Sequence, residues 1–186
     1  GLYTGLVYLT PLLGGMIADR FTGYRKAILI GALIMTLGHI SMALEGFSSN
    51  FFYVGLLFMI LGNGMFKPNI SSMVGQLYPD SSAKKDSGYT IFYMGINAGA
   101  FLGMLLCGYI GEKIGWHYGF GLAGVFMFFG MLQFYFAQKI FGVIGQDVNK
   151  EKKTELVSEE NEEVAIAAHV VRDRLIVVSV LMIASI

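Results

Sequence analysis

The clearest pattern in this chain is the length of its apolar stretches. Five runs, at residues 1–18, 27–44, 51–78, 88–110 and 116–140, carry almost no charge, and a sixth begins at 175–186. A bilayer core takes about 20 mostly apolar residues per helix, and each complete run meets or approaches that length. The runs are continuous rather than alternating, so they do not fit the period-two pattern of a membrane β-barrel. Short polar segments at 19–26, 45–50, 79–87 and 111–115 separate them, and one long polar stretch, 141–174, breaks the rhythm. The pattern predicts an all-α polytopic membrane protein with five full transmembrane helices and the start of a sixth. Residues 1–140 form one helical bundle, 141–174 a linker, and 175–186 the first helix of a second bundle.

Composition agrees. The chain is 55% hydrophobic and only 14% charged, with a mean hydropathy of +0.62, whereas soluble domains carry about 25% charged residues. The net charge is zero, which points to no nucleic-acid partner, so the position of each charge matters more than the sum. The first and third short segments, the end of the fifth run and the long stretch hold Arg20, Arg25, Lys26, Lys84, Lys85, Lys139, Lys150, Lys152, Lys153, Arg172 and Arg174. The opposite segments hold only Lys113. Such an excess marks the cytoplasmic side, so a multi-pass protein of the cell (inner) membrane is expected, with its linker in the cytoplasm. The linker, with Lys150–Lys153 followed by Glu159, Glu160, Glu162 and Glu163, reads as a solvated connection. The chain both starts and stops inside an apolar run, and a fragment of something longer is expected.

One charge breaks the pattern. Lys67 lies well inside the 28-residue run 51–78, about 42 Å long as a helix. A lysine at that depth costs at least ~2.5 kcal/mol on insertion scales, so it must face protein or a water-filled cavity. Asn63, Lys67 and Ser71 share one helix face at four-residue spacing. Pro68 follows, and a kink is expected there because its ring crowds the Gly64 carbonyl. Polar glue or snorkelling is the structural alternative. No acid within the runs can balance Lys67.

Asn97 lies in the middle of the fourth run, and Thr90 and Tyr93 complete a polar stripe with it. This stripe stands nearly opposite Gly95, Gly99 and Gly103, whose four-residue spacing suits close helix packing, as does that of Gly111, Gly115 and Gly119. An amide both donates and accepts, which suits a peptide backbone or terminus; an interhelical hydrogen bond fits the spacing equally. Tyr8 and Thr4 make a weaker polar face on the first run. His39 and Cys107 sit in apolar helices and read as packed residues. No metal-spaced cluster, phosphate-binding loop or nucleophile–base pair occurs, so an enzyme is not expected and neither metal nor cofactor is called for.

Three stretches carry a family likeness. Gly15, Asp19, Arg20, Gly23, Arg25 and Lys26 resemble the loop signature between the second and third helices of the major facilitator superfamily. Phe66-Lys67-Pro68-Asn69 with Gly75-Gln76-Leu77-Tyr78, and Phe92-Tyr93 with Ile96-Asn97-Ala98-Gly99, resemble the two signatures of the proton-dependent oligopeptide transporters. Tyr8, before the Gly14-Gly15 pair, matches as well. The resemblance covers essentially residues 1–140 and implies helices two to six of an incomplete N-terminal bundle, with helix seven starting near 175. It further implies proton-coupled symport of di- and tripeptides by alternating access, driven by protons in a lipid bilayer. In it Lys67 would meet the peptide carboxylate and share in proton coupling, and Tyr8 and Asn97 would hydrogen-bond the peptide. Asp19, Arg20 and Arg25 would form the conformational gating loop. Helix one, with its acid–arginine motif, and the C-terminal bundle, with a tryptophan and a glutamate on helix seven, would be partners outside this chain. Nitrate or another small anion as substrate, and a non-transporting peptide sensor, are the alternatives on the same fold.

Overall fold

The computed structural model describes residues 1–78, 83–142 and 144–146. Most of the predicted linker and the run at 175–186 lie outside them. The described residues are helical, in the order α1 (Leu2–Ile17), α2 (Gly23–Ala43), α3 (Ser49–Gln76), α4 (Ala83–Gly103), α5 (Tyr109–Lys113) and α6 (Trp116–Ala137). Two π-helical turns, Ala18–Thr22 and Met104–Gly108, carry α1 towards α2 and join α4 to α5. Four stretches are long and apolar enough to cross a membrane: Leu2–Ala43, Ser49–Gln76, Lys84–Lys113 and Trp116–Ala137. The first contains two crossings, because the chain breaks at Gly23.

That break differs from the expected polar loop at 19–26. The helix continues past Asp19 and Arg20 through the wide turn at 18–22 and stops only at Gly23, whose φ is +70°. This left-handed backbone suits glycine, which has no Cβ to clash. Polarity located the membrane exit, but not the dihedral that turns the chain. Likewise α4 starts at Ala83, ahead of the expected residue 88. The α3 start is marked by Ser48, whose hydroxyl accepts from the Asn50 amide at 3.4 Å, an N-cap.

Glycines set the packing. α2 and α3 run antiparallel and meet at two glycine pairs, Gly31 with Gly62 and Gly38 with Gly55. A Cβ on Gly31 would lie 2.8 Å from the Gly62 carbonyl oxygen, and one on Gly62 the same distance from that of Gly31. On the other side of α3, Gly14 of α1 presses against the Gly64 carbonyl so closely that a side chain there would collide with backbone. α6 covers α2 from the remaining side, Gly124 lying against His39 and Gly121 against Ala43. Between these helices Ile28, Ala32, Met35, Phe66, Ile70, Met73, Val74, Phe92, Met127 and Phe134 form the core. In lipid, this close backbone approach replaces the hydrophobic effect as the source of helix association.

Candidate functional site

The residues expected to meet the substrate stand on three helices. Tyr8 projects from α1, Lys67 from α3 and Asn97 from α4, and all three are exposed in this chain. α1 and α3 are pinned together around Lys67 by side chains that donate to carbonyls of the facing helix. Asn63, one turn before Lys67, donates to the carbonyl of Val7 at 3.4 Å, beside Tyr8. Thr10 donates to that of Ile60 at 3.1 Å. Asn69, two residues past Lys67 and fully buried, donates to Met65 at 2.6 Å and to Gly14 at 3.4 Å. Within α3, the Ser71 hydroxyl donates to the carbonyl of Lys67 itself, at 3.1 Å.

α4 joins this pair at one end. Gly88 sits against the Tyr78 ring, and the Tyr89 hydroxyl donates to the Ser71 carbonyl at 3.3 Å. The Tyr89 ring stacks on that of Tyr93, centroids 6.4 Å apart. Asn97 donates to the Tyr93 carbonyl at 2.8 Å, and Thr90 to that of Asp86 at the same distance. The two helices run antiparallel. Counting turns from Tyr89 at 1.5 Å per residue, Tyr93 therefore rises about 6 Å, level with Lys67, and Asn97 about 12 Å, level with Asn63. The exposed polar groups of this region are thus a cation on α3, a phenol on α1, and a phenol and an amide on α4. Such a set can hold an anion at one end and hydrogen-bond a polar ligand along its length.

Sequence reading did not single out Tyr89, the residue that ties α4 to α3. A signal was there: Tyr89, Tyr93 and Asn97 recur every four residues, a straighter stripe than the one through Thr90. Asn69 reads only as part of a motif, although its amide crosslinks two helices.

The three gating candidates separate. Asp19 and Arg20 are exposed on the π-helical turn. Arg25 is buried at 8% exposure, in the first turn of α2. Its guanidinium donates to the carbonyls of Ile144 (2.6 Å), Gly142 (2.7 Å) and Gln138 (3.2 Å). Of the remaining residues, His39 is buried, with neither ring nitrogen hydrogen-bonded among the described residues. Cys107 is half-buried in the wall of an apolar cavity of about 510 Å³ between α4 and α6, with Gly103, Trp116 and Gly119.

Known proteins resemble this chain in sequence and fold. A family model described as the POT family matches residues 25–161, more than two thirds of the chain. The chain is 44% identical over 135 residues to the peptide transporter YePEPT of Yersinia enterocolitica, covering 72% of this chain and 26% of that one. It is 40% identical over 147 residues to a di-/tripeptide transporter of Lactococcus lactis, covering 78% of this chain and 29% of the other. The structure superposes on the crystal structure of a mutant peptide transporter POT in complex with alafosfalin, with a TM-score of 0.75, 40% identity, and coverage of 85% and 34%. The chain thus spans between a quarter and a third of the length of these relatives. The match to the family model and the fold it shares with these transporters together show that the chain belongs to the POT family of membrane transporters.

Proposed function

We propose that this chain is part of a proton-coupled symporter that carries di- and tripeptides across the cell membrane by alternating access. The observation that supports it best is Lys67, an exposed cation within a membrane-spanning helix whose neighbours α1 and α4 also carry exposed polar groups. A charge at that depth persists only where protein, water or ligand compensates it. A peptide carboxylate supplies the compensating charge, and its departure, or protonation of a partner acid elsewhere in the whole protein, changes the balance. Tyr8 and Asn97, which offer both donors and acceptors, then hydrogen-bond the peptide. Asp19 and Arg20, exposed at the start of the α1–α2 connection, act in the gate. The side rich in lysine and arginine faces the cytoplasm.

The full-length protein in proteoliposomes tests this. With an inward proton gradient, dialanine uptake is expected, and Lys67→Ala is expected to lower gradient-driven uptake by at least a hundredfold, with the protein still folded by thermal unfolding. Gradient-driven uptake at the unmutated rate in that variant would remove Lys67 from the mechanism. Uptake of nitrate that dialanine does not compete with would replace peptides by a small anion. Dialanine binding without flux would make the protein a sensor.

A further inference from the structure

The chain that leaves α6 does not drift away from the bundle. After Ala137 it makes successive turns, with the Ile140 amide donating to Ala137 at 2.9 Å and that of Ile144 to Phe141 at 3.0 Å. Gly142 and Gly145 take the left-handed backbone, with φ of +56° and +73°. These turns wrap around Arg25. Its guanidinium reaches the carbonyl of Gln138, the C-cap of α6, where partial negative charge collects, and those of residues 142 and 144 in the turns beyond. The Arg25 backbone amide, one of the unpaired donors in the first turn of α2, donates to the Gly145 carbonyl at 3.0 Å. The guanidinium carbon lies 5.7 Å from the centroid of the Phe141 ring, within cation–π range. That ring is buried against Phe134, centroids 5.7 Å apart. Gly145 closes the ring of contacts: a Cβ there would sit 3.3 Å from the Arg25 Cγ.

The start of α2 and the exit from α6 therefore cap each other. Arginine suits this role and lysine does not, because only a guanidinium carries donors on three nitrogens fixed in a plane. A buried cation with its donors satisfied is costly to release, since release leaves an unpaired charge in a poor solvent.

We propose that Arg25 is a permanent clasp. It holds the chain leaving α6 to the start of α2 throughout the transport cycle, so the connection to the rest of the protein departs from a fixed point. The moving gate then falls to Asp19 and Arg20, six and five residues earlier on the exposed turn. The clasp is independent of what is transported, so the substrate assignment can fail while it stands.

Amide hydrogen exchange on the full-length transporter in nanodiscs tests it, with saturating dialanine at acidic pH and without either. Exchange at Arg25 and Ile144 is expected to stay within twofold between the two conditions, while amides at 19–22 change tenfold or more. Arg25→Lys is expected to speed exchange at Ile144 at least tenfold, with amides in the middle of α3 unaffected. A tenfold change at Arg25 or Ile144 in the unmutated protein would make Arg25 part of the gate and overturn the proposal. Invariance at 19–22 in protein shown to take up dialanine would overturn its assignment of the gate. Unchanged protection at Ile144 in Arg25→Lys would show that the clasp does not hold the turns. Where that variant fails to fold, the comparison in the unmutated protein decides alone.

Discussion

α2 and α4 are both apolar membrane helices of 21 residues, yet they are held in opposite ways. α2 is enclosed by α3 and α6, and 56% of the most apolar part of Leu2–Ala43 is buried, against 22% for the part that contains α4. Glycines line the α2 contacts, so its backbone lies on that of α3 with little between them. α4 is fixed at its ends. Phe92 enters the core and Tyr89 bonds to Ser71 at one end, and beyond the π-helical turn Gly111 meets the Trp116 ring at the other. Between them Tyr93, Met94, Asn97, Phe101 and Leu102 are uncovered. The difference separates a helix packed backbone to backbone from one whose middle the described residues leave uncovered. Close backbone packing leaves no room for a ligand, and if the proposed peptide site is right, it lies along the uncovered helix.

The largest effect that could break this comparison belongs to the packed side. In Gly14→Ala, the new methyl group collides with the Gly64 backbone rather than with a flexible side chain, so the helices must separate. A loss of about 3 kcal/mol is expected, the upper end for overpacking, read as a fall in the thermal unfolding midpoint of the full-length protein in detergent. Gly5→Ala on the same helix is the control. Nothing lies within 4 Å of a Cβ there, and no loss of stability is expected. Equal losses from both would show that the close contact does not carry the packing.

A smaller and different effect is expected on the open side. Asn97→Ala removes an exposed amide whose protein bond is to its own helix, at Tyr93, so the unfolding midpoint should stay within a degree. If the amide meets the peptide, the KM for dialanine uptake should rise about tenfold, a loss of roughly 1.4 kcal/mol, as for a hydrogen bond made to ligand. A fall in stability with KM unchanged would return Asn97 to interhelical packing.

Much of this division is legible in the sequence, and the exceptions have physical causes. The spans follow from hydropathy because the bilayer sets their length. Lys67 stands out because charge in lipid is expensive, and Asn97 because an amide amid apolar residues needs a reason. The packing glycines were harder to see. Attention falls on Gly95, Gly99 and Gly103, spaced four apart within one helix. The pairs that lock α2 to α3 are spaced seven apart, at 31 and 38 and at 55 and 62, and only their juxtaposition across two helices gives them meaning. The end of the first helix at Gly23 depends on one positive φ, which polarity does not report. Arg25 reads as part of a basic loop because the carbonyls its guanidinium meets among the described residues are more than a hundred residues away, and carbonyls have no letter in a sequence.

The finest test concerns the single hydroxyl that ties the two kinds of helix. Tyr89→Phe keeps the ring, and with it the stack on Tyr93, and removes only the bond to the Ser71 carbonyl. Hydrogen bonds between membrane helices average about 0.6 kcal/mol, so the unfolding midpoint should fall by no more than a few degrees. The consequence for transport should be larger in proportion. Ser71 is one turn from Lys67, and Tyr89 is two turns from Asn97, so this bond sets how far apart the cation and the amide stand. Loosening it should change the ranking of short against long substrates, with the uptake ratio of dialanine to trialanine shifting about twofold while uptake of each persists. If the ratio holds and only stability falls, α4 is positioned by Phe92 and, through the π-helical turn, by the α5–α6 contact instead, and the separation of Lys67 from Asn97 is set by packing rather than by this hydroxyl.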